Sequence, residues 1–201
     1  MGRLWSRAGH RVGYAYARDM SRLEALAREN AGAAWAGSVG EVAEESAVLL
    51  VAVPWARLDD LLAQAGDLRG KVVVSCSLPM TPDDAALALG HTTSGAEELA
   101  HRLPDARVVA GFNTLPSELL AALAETAPAT PPQVVLCGDD AGAKAIAAGL
   151  ARSAGLEPVD AGPLAVTRCV EPFGLLVGQL AYEESADPRL GSRFATLDNQ
   201  P

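Results

Sequence analysis

The side chains best suited to covalent or metal chemistry are few and widely separated in this sequence. The only cysteines and histidines are Cys76, Cys137, Cys169, His10, His91 and His101. None has a Cys or His neighbour at the short spacing usual in metal sites, so we expect no metal. We also find no Ser-His-Asp, Cys-His or paired-carboxylate set, which leaves no candidate for nucleophilic or acid–base catalysis. The odd number of cysteines, two of them in apolar runs, predicts reduced thiols in a cytoplasmic protein.

One glycine-flanked turn has the outline of a phosphate loop. It reads Gly138-Asp139-Asp140, with Gly142 following. Two adjacent carboxylates would repel a phosphate, so we interpret the segment as a strand-to-helix turn with an acidic N-cap.

Composition restricts the class of protein. The 201 residues carry 16 Lys and Arg against 25 Asp and Glu, a formal charge of −9, and 49% are hydrophobic. Such a chain has material for one core and is not disordered. Its acidity argues against a nucleic-acid partner. The longest nearly apolar stretch, 47–56, contains Pro54 and is far shorter than the ~20 residues that span a bilayer, so no membrane partner is expected.

Strand-like and helix-like segments alternate along the chain, which predicts an α/β fold: a doubly wound, mostly parallel sheet in a single domain. Predicted strands cover 11–17, 33–36, 47–53, 71–76, 107–112, 133–137 and 157–159; predicted helices cover 20–30, 57–65, 94–103, 117–125, 141–154 and 175–182. Capping-box spacings at Ser21 with Glu24 and Ser38 with Glu41 predict two helix starts. The apolar strand 47–53 is expected to be central. The domain covers 1–184, and 185–201 is expected to be a mobile or partner-bound tail.

The N-terminus departs from the usual order of such folds. A doubly wound fold that binds a dinucleotide begins with a strand, a G-x-G-x-x-G turn and a helix. Here residues 2–8 are typical of the second half of that helix, and Gly9 is typical of the glycine that ends it. Residues 11–17 are then typical of the second strand. The first strand is therefore missing or truncated. Such a strand buries side chains worth roughly 6–12 kcal/mol, comparable with the ~5–15 kcal/mol stability of a whole domain. We expect the native start to lie about 15 residues upstream, enough for a strand and turn; the alternative is a truncated relative that does not bind the pyrophosphate.

Six short segments carry a family resemblance. They are Arg7-Ala8-Gly9-His10, Tyr16-Ala17-Arg18-Asp19, Ala52-Val53-Pro54-Trp55, Phe112-Asn113-Thr114, Gly138-Asp139-Asp140 and Glu171-Pro172-Phe173-Gly174. In this order the chain resembles, over roughly residues 2–182, the F420-dependent NADP oxidoreductases. These are small Rossmann proteins related to the cofactor domains of pyrroline-carboxylate reductases. The resemblance implies an NAD(P)-binding domain.

The resemblance also implies a cofactor site for NADP(H). Arg18 stands where the family places a Ser-Arg pair on the adenosine 2′-phosphate, and Arg22 follows within reach of the same phosphate. Ala17 replaces the serine of that pair. The alternative is that both arginines are solvated surface charges. Val53 and Pro54 are implied to lie against the nicotinamide, although Pro54 alone is equally explained as a strand terminator.

Further along the chain, the same resemblance implies the rest of the site. Ser77 and Pro79 end the next strand beside the cofactor, with Leu78 where relatives carry Asn. Asn113 and Thr114 are implied to lie beside the second substrate; the alternative is that Thr114 caps the next helix. Gly174 belongs to a segment that forms a wall of this second site or a dimer contact.

The implied reaction is hydride transfer between NADP(H) and a deazaflavin, coenzyme F420, or a similar acceptor. Two alternatives remain open. One is an NADPH-dependent reductase of a flavin or a small imine or carbonyl compound. The other is a non-catalytic dinucleotide-binding protein. The expected partner is a small redox substrate, and a homodimer is one option.

Overall fold

The computed structural model describes residues 1–30, 34–184 and 187–196. Strands and helices alternate throughout. The strands are β1 (Val12–Tyr14), β2 (Ala34–Ala36), β3 (Val48–Val51), β4 (Val72–Ser75), β5 (Arg107–Ala110), β6 (Gln133–Gly138) and β7 (Glu157–Gly162). The helices are α1 (Gly2–Arg7), α2 (Met20–Glu29), α3 (Val39–Glu45), α4 (Leu58–Ala65), α5 (Gly95–Arg102), α6 (Ser117–Glu125), α7 (Ala141–Ser153) and α8 (Thr167–Gln179).

The strands form two sheets. β1 pairs in parallel with β2, and a five-stranded sheet has the order β3-β4-β5-β6-β7. Every pairing in the larger sheet is parallel except that between β5 and β6. The predicted α/β fold with a mostly parallel sheet is therefore confirmed.

Helices cover both faces of the five-stranded sheet, and the alternation of β4 shows this directly. Val72 and Val74 point into a core shared with α1, α6 and α7, whereas Val73 points into a second core with α3, α4, α5 and α8. All four residues of β4 are buried. A continuous apolar run in a parallel strand is explained by this coverage on both sides.

The position predicted for the strand at 47–53 is wrong. β3 is an edge strand of the five-stranded sheet, and three of its four residues are only partly buried. Among the described residues, neither β1 nor β2 pairs with a strand of the five-stranded sheet. The sheet that the alternation predicts as continuous is therefore divided at this point.

Helix starts agree with the sequence in part. Ser38 and Glu41 form the predicted capping box of α3. The box predicted at Ser21 is wrong, because Asp19 is the N-cap of α2 and accepts a hydrogen bond from the Ser21 amide. Aspartate at N-cap satisfies an amide that no helical carbonyl reaches, so the capping residue is Asp19, while the helix begins at residue 20 as predicted. Gly9 follows α1 with φ +88°, as a C-terminal glycine stop requires.

The last helix begins earlier than its pattern predicts. α8 starts at Thr167 rather than residue 175 and runs through Pro172, whose ring is exposed. Proline removes one backbone hydrogen bond, but the buried side chains Val170 and Val177, on either side of it, keep the helix continuous. The segment Leu164–Glu184 contains an 18-residue window with a mean hydropathy of 1.2, enough by length and composition alone to cross a bilayer; core helices of soluble proteins meet the same criterion.

The described part of the C-terminal tail, 187–196, has no helix or strand. It nevertheless contacts the domain. The Phe194 amide donates to Gln133 Oε1 (2.6 Å), Gln133 Nε2 donates to the Phe194 carbonyl (3.2 Å), and Arg193 pairs with Glu157 (2.7 Å). This part of the predicted tail therefore lies along the start of β6 and β7.

Truncation of a core side chain in α5 tests this packing. Leu99 is 1% exposed, whereas Leu176 on α8 is 52% exposed. We expect Leu99→Ala to lower the free energy of unfolding by about 2–5 kcal/mol, because it leaves a cavity. Leu176→Ala should change it by no more than about 0.5 kcal/mol. Urea denaturation measures both; equal losses would contradict the assigned core.

Thiol reactivity provides a second test of the fold. Burial raises the pKa of Cys76 and of Cys137 to about 11, while Cys169 is exposed. At pH 8 only about one in a thousand thiols of that pKa is ionised. A chromogenic disulfide reagent should therefore modify one thiol per native chain rapidly, and all three after unfolding. Cys169→Ser is the control and should abolish the rapid reaction.

Candidate functional site

Three segments of the predicted site meet at one edge of the larger sheet. Val51, Ser75 and Ala110 stand side by side at the carboxyl ends of β3, β4 and β5. The chain leaves these strands through 52–54, 76–79 and 111–114. Neighbouring strands are ~4.8 Å apart, so the three segments lie within about 10 Å of one another. Carboxyl ends of parallel strands are where doubly wound folds bind ligands.

Ser77 connects the first two segments. Its hydroxyl donates to the Val53 carbonyl (2.6 Å), and the side chain is buried. Pro54 is exposed and precedes a 3₁₀ turn, Trp55–Arg57. The structure therefore places Ser77 beneath the edge and Pro54 on its surface, with Val53 partly exposed between them.

Pro79 supports the edge from below. It is among the most completely buried residues, and its ring packs against Gly95 at the start of α5. A Cβ atom at Gly95 would lie 3.2 Å from Pro79 Cδ. The residue predicted to contact the cofactor is therefore placed where it positions α5.

Arg18 and Arg22 lie together, as the predicted phosphate site requires. Both are exposed and line one cavity of about 440 Å³ between the end of β1 and the start of α2. Within the described ranges, neither side chain has an ion pair or hydrogen bond. Asp19 lines the same cavity; its pKa is lowered by hydrogen bonds from Ser21, so it is ionised at neutral pH. Two cations against one anion leave a local surplus of one positive charge.

Tyr16 links this cavity to the rest of the edge. Its hydroxyl donates to Asp60 Oδ2 (2.7 Å), just beyond the turn that follows Pro54, and this bond raises the pKa of Tyr16. Tyr16 has φ +63°, and Phe112 after β5 has φ +67°. Non-glycine residues rarely adopt this conformation outside functional or tightly constrained sites. The two therefore mark the ends of strands β1 and β5 as constrained backbone.

Asn113 and Thr114 contain polar atoms without a protein partner. Asn113 Oδ1 and Thr114 Oγ1 are buried and form no hydrogen bond in the described part of the chain. The alternative role of Thr114 as a helix cap is not observed, because Pro116 precedes α6 and no side chain caps it. Buried polar atoms are normally satisfied, so these two indicate a missing partner at the predicted second-substrate position.

Gly174 on α8 faces this segment at very close range. A Cβ atom there would lie 2.7 Å from the Asn113 carbonyl oxygen and 3.4 Å from Leu78 Cδ2. The first distance is shorter than any real Cβ contact, so only glycine allows α8 to approach. The predicted residues Asn113, Thr114 and Gly174 are thus brought together, with Leu78 beside them.

Glu171 is the residue of this region whose role the sequence did not reveal. It is 1% exposed, and its carboxylate accepts hydrogen bonds from the amides of Gly95 (2.8 Å) and Ala96 (3.0 Å). Burial raises its pKa, and the two amide bonds lower it by less. A signal existed: Glu171 is the only carboxylate in α8, and it lies within a motif that marked the family resemblance.

No described group of three His, Cys, Asp or Glu side chains is close enough to hold a metal ion. At the edge, the described residues present two guanidinium groups at one end, and apolar and backbone surfaces with the buried Asn113 Oδ1 and Thr114 Oγ1 at the other.

The raised pKa of Glu171 predicts a pH dependence of stability. The native state holds this proton more tightly than the unfolded chain, whose carboxyl has the ordinary value of 4.5. Its contribution to stability is complete below that value and is lost as pH rises through the folded pKa. We expect Glu171→Gln to remove this decline. Denaturant unfolding from pH 4 to 8 measures it; parallel curves for the two proteins would contradict the assignment.

Comparison with known proteins places this geometry in context. Residues 1–79 match the sequence model of the family "NADP oxidoreductase coenzyme F420-dependent". Metalloreductase STEAP3 from Rattus norvegicus is 34% identical over 135 residues, 67% of this chain. The chain spans only 26% of the length of that relative.

Solved structures share the fold over most of the chain. A protein assigned as an F420-dependent NADP-reductase from Arthrobacter sp. FB24 has a TM-score of 0.75 at 25% identity and covers 90% of this chain and 86% of its own. A hypothetical protein from Sinorhizobium meliloti has a TM-score of 0.70 at 26% identity, over 82% and 80%. A reductive aminase from Aspergillus terreus, solved with NADPH and ethyl levulinate, shares the fold at 18% identity with a TM-score of 0.59, over 89% of this chain and 55% of its own. The resemblance to the F420-dependent NADP oxidoreductases that the sequence motifs predict is thus confirmed, by the family match over residues 1–79 and by the shared fold.

Proposed function

We propose that this chain is an NADP-dependent oxidoreductase that transfers a hydride between NADP(H) and a deazaflavin of the F420 type. The family match and the relatives described above support the oxidoreductase class. The observation that carries the proposal is the pair Arg18 and Arg22 on one cavity, unpaired within the described ranges, immediately after β1.

The basic cavity fits the 2′-phosphate of NADP(H). A guanidinium group binds phosphate through parallel N–H donors, and such charge-assisted bonds are the strong ones. The start of α2 adds positive potential beside Arg18 and Arg22. Asp19 opposes the phosphate, but its carboxylate is held on the Ser21 amide and is outnumbered by the two cations. In this proposal the cavity selects NADPH over NADH.

The nicotinamide half lies along the surface formed by Val53 and Pro54. NADP(H) and the deazaflavin themselves supply the carbon atoms between which hydride moves. The protein must hold two flat rings face to face and exclude water, which needs shape more than acid or base groups. Ser77 contributes by fixing the Val53 carbonyl and so the path of the chain at this surface.

The acceptor lies against the wall formed by Leu78, Asn113, Thr114 and Gly174. The close approach of Gly174 to the Asn113 backbone leaves no room for a side chain between α8 and this segment, and the Leu78 side chain packs beside them. The unpartnered Asn113 Oδ1 and Thr114 Oγ1 offer hydrogen bonds to polar edges of the acceptor ring. A flat heterocycle with polar edges is the class of acceptor this arrangement suits.

A second candidate is reduction of a flavin or a small imine or carbonyl compound. Leu78 favours it, because an apolar side chain stands where relatives carry a polar one and contacts Gly174 in the acceptor wall. A comparison of F420 with free flavin and imine acceptors under the same conditions separates the two candidates. A chain that binds NADPH but reduces none of them is the non-catalytic alternative.

Binding of NADPH and NADH by calorimetry tests the cofactor site. We expect Arg18→Ala to weaken NADPH roughly 10- to 100-fold, the worth of a charged hydrogen-bonded contact, and to leave NADH nearly unchanged. Arg28→Ala is the matched control, because Arg28 lies on the same helix and is paired with Glu24 outside the cavity. It should leave both affinities unchanged.

Two results would overturn this assignment. One is equal affinity of the wild-type protein for NADPH and NADH. The other is an Arg18→Ala protein indistinguishable from the Arg28→Ala control.

A further inference from the structure

Two helices that border the acceptor wall are joined by a buried charge. The two carboxylate oxygens of Glu171 on α8 each accept one hydrogen bond, from the amides of Gly95 and Ala96, the first two residues of α5. A buried carboxylate is costly unless it is fully hydrogen-bonded, and here both oxygens have a backbone donor at the positive end of a helix.

The start of α5 does not need Glu171 for local capping. Ser94 is already its N-cap and accepts from the Glu97 amide. Glu171 therefore accepts hydrogen bonds from the Gly95 and Ala96 amides, which Ser94 does not cap. It does so from a different helix, 76 residues from Gly95 along the chain. Such a bond determines where α8 sits relative to α5 and adds little to the formation of α5 itself.

Glu171 and Pro79 both pack against Gly95. A Cβ atom at Gly95 would lie 3.3 Å from Glu171 Oε1 and 3.3 Å from Pro79 Cβ, so the start of α5 is held closely between α8 and the segment that follows β4. Pro79 ends the segment that follows β4. Glu171 thus fixes the distance between α8 and this segment at one point.

One helical turn beyond Glu171 is Gly174. Residues three apart share a face of a helix, so the tie at Glu171 also sets how closely Gly174 approaches Asn113. At Gly95 and at Gly174 an added Cβ atom would lie only 3.2 Å and 2.7 Å from its nearest neighbour, so α8 packs closely at both points. We propose that Glu171 is a positioning residue that sets the separation of α8 from the Asn113 segment and thereby the affinity for the acceptor. This rests on the proposed function, because it assumes that the acceptor binds at that wall.

Three charged or titratable groups face Glu171. Glu97 of α5 and Cys137 of β6 interact with it electrostatically, and Arg168 of α8 neutralises Glu97 through a bidentate ion pair (2.6 Å). Arg168 therefore joins the same two helices from the solvent side. Substitution of Arg168 is therefore a matched control, because it removes a contact between α5 and α8 but keeps the hydrogen bonds of Glu171.

The decisive experiment compares Glu171→Gln with Arg168→Gln in the full chain, using NADPH and coenzyme F420 as substrates. The glutamine amide can accept from only one of the two backbone donors and turns its own NH₂ group toward the other. We expect Glu171→Gln to raise KM for F420 roughly tenfold or more, since small misplacements of a substrate wall are costly, and to leave KM for NADPH within about twofold. Arg168→Gln should change neither.

Hydrogen exchange gives a readout besides activity. The amides of Gly95 and Ala96 should exchange faster in Glu171→Gln than in the wild type and remain protected in Arg168→Gln. If Glu171→Gln does not fold, Gly174→Ala replaces it, because the added methyl group meets the Asn113 carbonyl and displaces α8 directly. The same selective rise in KM for F420 is expected.

The outcomes separate the two proposals. An active wild type with equal changes of both KM values, or no change, in Glu171→Gln overturns the positioning role and leaves the proposed function standing. A wild type that reduces no F420 with NADPH overturns the proposed deazaflavin reaction, and the positioning role for that acceptor with it.

Discussion

The parallel register of β3, β4 and β5 is the constraint on which the candidate site depends. The three strands end in one row, at Val51, Ser75 and Ala110. The segment after each strand then leaves the sheet at the same edge. Residues far apart in sequence, Val53, Ser77 and Asn113, thereby emerge side by side. The row is held by burial: β4 has a helix layer on both faces, and its valines alternate between two separate cores. Any slip of one residue would exchange those faces, so the register is strongly fixed.

The two ends of this sheet edge, the basic end at Arg18 and Arg22 and the apolar end near Val53 and Asn113, depend on different interactions. The basic end depends on charges at the surface, where Arg18 and Arg22 keep their donors available. The apolar end depends on backbone proximity and on buried polar bonds, notably Ser77 to Val53 and Glu171 to α5. Surface charges are adaptable and screened by salt, whereas a buried, fully bonded carboxylate is rigid. In the proposed function, the two flat rings meet at the apolar end, where this rigidity holds them in place.

Much of the architecture could be predicted from sequence because it depends on local patterns. The limits of α6, the capping box at Ser38 and the acidic N-cap at Asp140 agree with the structure, since each depends on residues within one or two turns. The predictions for α8 and the position of β3 are wrong because both depend on distant partners. Burial of Val170 and Glu171 continues α8 through Pro172, and the strand neighbours of β3 cannot be read from its own apolar residues.

The sequence by itself determined the fold class, the resemblance to an NADP oxidoreductase family and the cluster of arginines after the first strand, because these are encoded in composition, periodicity and short motifs. Only the tertiary structure decided which residues face the edge and which support it. It placed Pro79 beneath α5, left Asn113 Oδ1 and Thr114 Oγ1 without partners among the described residues, and paired Glu171 with amides 75 and 76 residues away. The physical reason is that desolvation and hydrogen-bond satisfaction are properties of the packed chain, and no local segment specifies them.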